Sequence, residues 1–370
     1  MNLPFEGIFR NKKVLVTGHT GFKGSWLSLW LLSLEAKVYG YALAPNTNPS
    51  LFDLLNLRAS VDHQEADICD YDRLRQTLRN VKPDIIFHLA AQPLVRDSYD
   101  KPRETVLVNT IGTVNLLEAV RQEQLQTVVV IVTTDKCYEN KEWLFGYRES
   151  DSMGGYDPYS SSKGAAEILI SSWRNSFFNP KAYSTHGVKV ASARAGNVIG
   201  GGDWAKDRIV PDCIRDLQNS AVVQVRNPHA TRPWQHVLEP LGGYLQLGAR
   251  LLGADEKDVE WYCEAFNFGP LISSNRTVGL LVDKIIQVWG SGSWSRYSLE
   301  KPEHEASLLN LTIDKAFHKL HWLPVWNFDE TIIETIEWYK NMINNPASIH
   351  DFTLNQIHTY QAKIIEKKVE

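Results

Sequence analysis

The chain lacks the features that mark several protein classes. Its four cysteines, Cys69, Cys137, Cys213 and Cys263, lie far apart with no Cys-x-x-Cys among them. That spacing argues against a zinc or other metal site and against a disulfide framework, and it fits a reducing compartment. No run of Lys and Arg is present and no long acidic tail, and the formal charge of -4 comes from mixed acids and bases, so nothing selects nucleic acid as a partner. The apolar stretch 26–34 is too short to span a bilayer. The first residues do not read as a signal peptide, because Lys12 and Lys13 follow Phe9 and directly precede a strand. Internal repeats, low-complexity tracts and heptads are absent as well. A cytoplasmic protein that neither crosses nor binds a membrane is expected.

What remains is ordinary globular material. With 370 residues, 43% of them apolar, the chain can build one large α/β domain or two lobes sharing a cleft. Val14-Leu15-Val16 is a short apolar run with β-branched ends, the pattern of a strand buried on both faces. It leads directly into Thr17-Gly18-His19-Thr20-Gly21-Phe22-Lys23-Gly24 and then into helical crowding from Trp26 to Leu31. Strand, glycine turn and helix in that order form a phosphate-binding context. Gly18 would make the tight turn, Gly21 would let the backbone approach a pyrophosphate, and Gly24 would let helix and strand pack closely. The spacing is G-x-x-G-x-x-G rather than G-x-G-x-x-G.

Further strands are expected at 37–42, 61–66, 84–89, 127–132 and 188–193, alternating with helices such as 102–121. That alternation predicts a Rossmann-type doubly wound parallel sheet. After residue 197 the pattern breaks, with a loop at 200–204, a helix at 207–219, a short strand at 222–226 and a turn-like segment at 231–236. We expect a first domain over 1–195, a smaller mixed α/β substrate-binding lobe over 196–345 that is partly interleaved with it, and a polar, peripheral tail over 346–370. The second strand ends at Tyr41-Ala42-Leu43-Ala44-Pro45 with neither the acid that often binds ribose hydroxyls nor an Arg for a 2′-phosphate. Asp67, after the third strand, either accepts from an adenine amino group or caps the helix opened by Asp70.

The chemistry gathers at two places. Thr133-Thr134-Asp135-Lys136 follows the fifth strand, and polar groups at the carboxyl end of a parallel strand are where such folds put sites. A Thr-Asp pair there is also a common helix cap. Tyr159 and Lys163, four apart, share one helix face, and the Lys charge is expected to lower the Tyr pKa and make the phenol a usable base. Cys137 has no evident base and reads as a packed residue.

At these motifs the sequence resembles the extended short-chain dehydrogenase/reductase family over nearly its whole length. The matching pieces are Thr17-Gly18-x-x-Gly21-x-x-Gly24, His88-Leu89-Ala90-Ala91, Asn109-x-x-Gly112-Thr113, Thr133-Thr134-Asp135, Tyr159-x-x-x-Lys163 and Arg232-Pro233-Trp234, the last where the family often has Arg-Asp-Trp. Residues 312–322 and 326–339 resemble the closing helices of the family. The acid after Thr134 is similar to the mark of the nucleotide-sugar 4,6-dehydratases. Lys136 departs from the commoner pattern, which has Glu.

The resemblance implies NAD as cofactor, a nucleotide sugar as substrate, a role in deoxysugar biosynthesis for surface polysaccharide such as O-antigen, and a homodimer or homotetramer paired through helices 102–121 and 159–176. Thr134, Asp135, Lys136, Tyr159 and Lys163 would be catalytic. Phe22, Lys23, Asp67, Ile68, Leu89, Ala90, Ala91, Asn109 and Thr133 would join the glycines, Tyr159 and Lys163 around the cofactor. Asn197, Arg208 and Arg232 would hold substrate, with His236 either structural or substrate-contacting. Lys136 would be the C5 base or a charge that stabilises the enolate. A 4-epimerase on the same scaffold and a non-catalytic nucleotide sensor are the competing functions.

Overall fold

The computed structural model describes residues 4–297 and 308–367. Residues 1–3 of the expected first domain, 298–307 of the expected lobe and 368–370 of the expected tail lie outside the described residues. Each expected segment becomes a strand: β1 Lys13–Thr17, β2 Lys37–Ala42, β3 Asp62–Glu65, β4 Ile85–His88, β5 Val128–Val132 and β6 Lys189–Ala195. Helices α1 Phe22–Ser33, α2 Tyr71–Val81, α3 Pro102–Val106, α4 Gly112–Gln122 and α5 Pro158–Ser176 lie between them. The expected single helix over 102–121 is interrupted by a π turn, Leu107–Ile111. Such turns often mark functional sites, and this one carries Asn109.

A further strand, β7 at Ala265–Phe268, joins beside β6. The sheet then reads β7-β6-β5-β4-β1-β2-β3, parallel throughout. Strand order reverses between β1 and β4, which opens a crevice at their carboxyl ends. Every residue of β4, β5 and β6 is buried. Packing on both faces of the sheet explains why β5 is continuously apolar instead of alternating, while the buried Ser192 and Arg194 of β6 are satisfied by Glu167.

After residue 197 the chain also makes three small strand pairs: Val198–Ile199 with Gln235–His236, Thr231–Pro233 with Asn275–Thr277, and Val223–Val225 with Trp294–Arg296. The segment 231–236 is therefore two short strands rather than a turn, held by backbone pairing and by the Trp234 indole N–H donating to Arg276 O (2.9 Å). Helix α6 spans Ile209–Gln218, and α7, Leu238–Gly253, is buried along most of its length against the sheet. Helix α8 spans Phe328–Asn344 and begins with a capping box between Asn327 and Glu330.

The tail is not peripheral. Helix α9, Ile349–Lys367, buries Ile349, Thr353, Ile357 and Tyr360. The Tyr360 hydroxyl donates to the buried Glu239 carboxylate (2.7 Å), which also accepts the backbone N–H groups of Val325 (2.9 Å) and Trp326 (2.6 Å). The Tyr360 ring meets Trp30 of α1 edge-on at 5.6 Å. The polar residues of the tail cover one side of α9, while its apolar face closes over α1. Among the described residues no helix is long and apolar enough to cross a membrane.

The loop Gly200-Gly201-Gly202-Asp203-Trp204 is pinned beneath α8. A Cβ on Gly201 would stand 2.6 Å from Trp338 Cβ, so only glycine fits. Trp26 donates its indole N–H to Gly201 O (2.9 Å), and the Tyr339 hydroxyl donates to Asp203 O (2.6 Å).

Candidate active site

The crevice starts with the glycine turn. Gly18 has φ +74, and a Cβ there would lie 2.7 Å from Ala90 N; a Cβ on Gly24 would lie 2.7 Å from His19 Cα. Both glycines are therefore required, one by backbone conformation and close approach and the other by the packing of α1 on the turn. The N-cap of α1 is Gly21, which offers no side-chain cap. The N–H groups of the first turn, including those of Phe22 and Lys23, are left to an outside acceptor. A side chain at Gly21 would stand in the mouth of this cradle. The donors, the shape and the helix N-terminus fit a diphosphate.

Other expected cofactor residues divide. Leu89, Ala90 and Ala91 follow β4 next to the turn, and Thr17 Oγ1 accepts from Ala90 N (3.2 Å). Asp67 is exposed and accepts from Cys69 N (2.9 Å), while Asp70, not Asp67, caps α2. Ile68 is buried against Gly112, so only its backbone faces outward. Asn109 is engaged by its neighbours. Its Oδ1 accepts from Gln92 N (2.8 Å) and its Nδ2 donates to Gln92 O (3.1 Å) and Ser162 Oγ (3.0 Å). It therefore holds the Gln92 peptide and α5, and both of its amide hydrogens are used. The Thr133 hydroxyl is likewise committed to Glu167 Oε1 (2.5 Å).

The residues expected to be catalytic meet where β5 ends. Thr134 caps the short turn Asp135–Cys137, as the cap reading expects. Its Oγ1 accepts from Lys136 N (3.4 Å) and donates to Asp135 Oδ1 (3.0 Å). Asp135 is buried and its Oδ2 has no partner among the described residues. Gly196 faces it, and a Cβ there would come 2.8 Å from Asp135 Cγ. Burial pushes the Asp135 carboxyl up, against the opposing effects of Lys136, its bond from Thr134, Arg232 and Lys23. Lys136 itself is half-buried on the same turn.

Tyr159 and Lys163 project from the first turns of α5, which Asp157 caps through Ser160 N (2.9 Å). The expected lowering of the Tyr159 pKa does not occur. Burial pushes the phenol up to about 12, and the neighbouring Thr134 hydroxyl and Arg208 only partly offset it. Burial also lowers Lys163, to about 8, with Glu167 opposing. Desolvation is the largest cause of both shifts. Lys163 Nζ donates to Val132 O (3.4 Å), which ties it to the strand end.

Cations line the remaining wall. Lys23, lowered to about 8 mainly by burial, feels Arg208, Asp135 and Lys163. Arg208 pairs with Asp203 (2.8 Å) and lies near Tyr159. Arg232 is buried close enough to act on Asp135. Asn197 O accepts from Gln235 N (3.2 Å), which fixes the turn after β6. His236 does not face the crevice. It is fully buried, its ring meets Trp326 edge-on at 4.7 Å and Trp26 at 5.9 Å, and burial lowers it to about 3. It is a neutral core histidine.

Sequence reasoning missed the support beneath the site. Glu167 accepts from Arg194 Nη2 (2.8 Å) and Ser192 Oγ (2.8 Å) besides Thr133, so a buried ion pair locks β5, β6 and α5 together. The signal was present, since Tyr159, Lys163 and Glu167 form one i, i+4, i+8 stripe. Asp203 was read only as part of a loop motif. The arrangement as a whole presents a phenol, a hydroxyl and a carboxyl side by side in a water-poor crevice, next to a diphosphate cradle and several cations.

Comparison with known proteins agrees with this geometry. The family model for GDP-mannose 4,6 dehydratase matches residues 15–255. A CDP-glucose 4,6-dehydratase of Salmonella typhimurium is 50% identical over 91% of this chain and 93% of its own length. Among solved structures, a dTDP-glucose 4,6-dehydratase from Bacillus anthracis in complex with NAD superposes with a TM-score of 0.72 at 20% identity, covering 91% of this chain and 99% of that one. A UDP-glucose 4-epimerase from Thermotoga maritima with UDP-glucose gives 0.75 at 21% identity, covering 90% and 99%.

Proposed function

The chain belongs to the GDP-mannose 4,6-dehydratase family, nucleotide-sugar dehydratases of the extended short-chain dehydrogenase/reductase class, and from that premise we propose that it is a hydro-lyase converting CDP-D-glucose to CDP-4-keto-6-deoxy-D-glucose. The cytidine nucleotide is favoured by the 50% identical relative and by the resemblance of Thr134-Asp135-Lys136 to CDP-glucose 4,6-dehydratase. The product is a precursor for deoxysugars.

NAD, when bound, supplies the hydride acceptor for C4 and the hydride donor for C6. The α1 cradle with Gly18, Gly21 and Gly24 would hold its diphosphate, Asp67 and Ile68 the adenosine side, and Leu89, Ala90, Ala91 and Lys163 the remainder. Tyr159 takes the C4 hydroxyl proton. The resulting ketone acidifies the C5 proton, which Lys136 either removes as a base or helps to release by stabilising the enolate. Asp135 gives a proton to the C6 hydroxyl, which leaves as water. Lys23, Arg208 and Arg232 neutralise the substrate diphosphate. Exposed Val106, Ile111, Ile168 and Phe177 on α3, the π turn, α5 and the end of α5 support pairing of two copies through these helices.

One observation carries the reading: Asp135 is buried beside Tyr159 with Oδ2 unpartnered, the acid that elimination needs and 4-epimerisation does not. The test is incubation with NAD and CDP-, dTDP-, UDP- or GDP-glucose, followed by alkali and a reading for the 4-keto chromophore. Colour with CDP-glucose is expected. Epimerised sugar without colour would make the protein an epimerase, and no turnover of any sugar would leave a nucleotide sensor.

A further inference from the structure

A nucleotide sugar that brings its C4 to Tyr159 and its diphosphate to Arg208 and Arg232 carries its base outward past Arg208. Three charged side chains meet there. Resting on the dehydratase reading for the placement of the sugar, we propose that Asp207, held between Arg96 and Arg226, reads the base of the substrate and selects cytosine by accepting a hydrogen bond from its 4-amino group.

Asp207 directly precedes Arg208. Its φ is +61, left-handed backbone that Asp and Asn enter more readily than other side chains. Arg208 then returns to extended backbone as the N-cap of α6. The two neighbours part company at this bend. Arg208 turns to Asp203 (2.8 Å) and lies near Tyr159, while Asp207 turns to Arg96 (3.0 Å) and Arg226 (3.3 Å). Arg96 stands on the short helix Val95–Asp100 in the chain after β4, Asp207 in the chain after β6, and Arg226 directly after the strand Val223–Val225. Strands β4 and β6 flank β5, so the triad joins the two sides of the site at the end of β5. Its side chains are 36%, 45% and 32% exposed in the order Arg96, Asp207, Arg226, which leaves them open to a ligand.

Both guanidinium contacts fall on Asp207 Oδ1, and Oδ2 accepts no hydrogen bond from the described residues. A carboxylate offers lone pairs on both oxygens, and each arginine has five N–H groups. An acceptor beside such donors is the complement of the cytosine edge, whose N4 amino group donates and whose N3 and O2 accept. Asp207 Oδ2 takes the amino hydrogen, and a flanking guanidinium can donate to N3 or O2. Uracil and thymine instead set a carbonyl oxygen at position 4 against the carboxylate and an N3–H against the guanidinium. Each meets a group of its own kind, so the same three residues that hold cytosine reject the other pyrimidines.

Asp207→Asn keeps the size of the side chain and tolerates the same backbone, but it can turn an amide N–H toward O4 of uracil. The ratio of kcat/KM for CDP-glucose to that for UDP-glucose is expected to fall by roughly 10–10²-fold, the worth of one well-placed pair to a base edge. A latch that merely closed the crevice would weaken both substrates alike, and an unchanged ratio overturns the proposal. A second measurement needs no turnover. In calorimetric titration with CDP and with UDP, which lack the sugar, the wild type is expected to bind CDP more tightly and Asp207→Asn to lose that preference. Equal binding of the two by the wild type, or a preference that survives in Asp207→Asn, overturns it as well. If no nucleotide glucose is turned over while the wild type prefers CDP and the variant does not, the dehydratase reading falls and the base site stands.

Discussion

Gly196→Ala isolates the acid of the site. Gly196 follows β6, and its φ lies outside the left-handed region, so alanine is tolerated by the backbone. The obstacle is Asp135: an added Cβ would stand 2.8 Å from its Cγ and closer still to Oδ2. An ordinary carbon–carbon contact is about 3.5–4.0 Å, so the carboxyl has to retreat by roughly 1 Å. The retreating group is the end of a side chain, and the fold should survive with little change in thermal unfolding. Misplacement of a reacting group by about 1 Å costs roughly 10²-fold in rate. Steady-state turnover of CDP-glucose should fall by about that factor, while calorimetric NAD affinity stays the same, because no part of the α1 cradle moves. The Thr134–Asp135 bond at 3.0 Å should be disturbed as well, so the loss falls on elimination. A Gly196→Ala protein that turns over at the wild-type rate would show that the Asp135 carboxyl is not positioned by this contact and is not the C6 acid.

Tyr159→Phe removes the C4 base and should lower turnover by roughly 10²–10⁴-fold with NAD binding intact by calorimetry; near-normal turnover would exclude it as the base. Lys136→Met should still transfer hydride from CDP-glucose but stall at elimination, seen as persistent reduced-cofactor absorbance in a single turnover and no solvent deuterium at C5. Normal C5 labelling would assign that proton to another group. Tyr360→Phe removes one donor from the buried Glu239 carboxylate, which should cost about 1.5–3 kcal/mol in denaturant unfolding while leaving kcat unchanged. Titration should give tighter binding of NAD than of NADP, because residues 42–45 supply no Arg for a 2′-phosphate; the reverse order would refute that reading.

The parallel sheet was legible up to residue 197, since β1, β2, β4 and β5 contain short apolar runs that alternate with helices. The seventh strand was not. Ala-Phe-Asn-Phe at 265–268 is too short to signal itself, and its place beside β6 is set by tertiary contact. The tail was misread from its overall polarity, although Ile349, Phe352, Ile357, Tyr360 and Ile364 recur at helical spacing and predict a face to bury. At the site, residue types and spacing singled out Thr134, Asp135, Tyr159 and Lys163, which the fold brings together because they sit at a strand end and on one helix face. The charge state of Tyr159 was not legible, since desolvation depends on what covers the phenol and not on its neighbour four residues away. His236 was left open between two roles for the same reason, and only the flanking Trp26 and Trp326 rings decide it.

Lys136 ties these points together. A proton on Asp135 is favoured by burial, the largest effect, and disfavoured by Lys136, Arg232 and Lys23. Lys136→Met removes the strongest of the effects that oppose burial while Arg232 and Lys23 remain, so the Asp135 carboxyl should rise further toward its protonated form. The stall at elimination expected of that variant would then come from the C5 proton and not from a missing acid at C6.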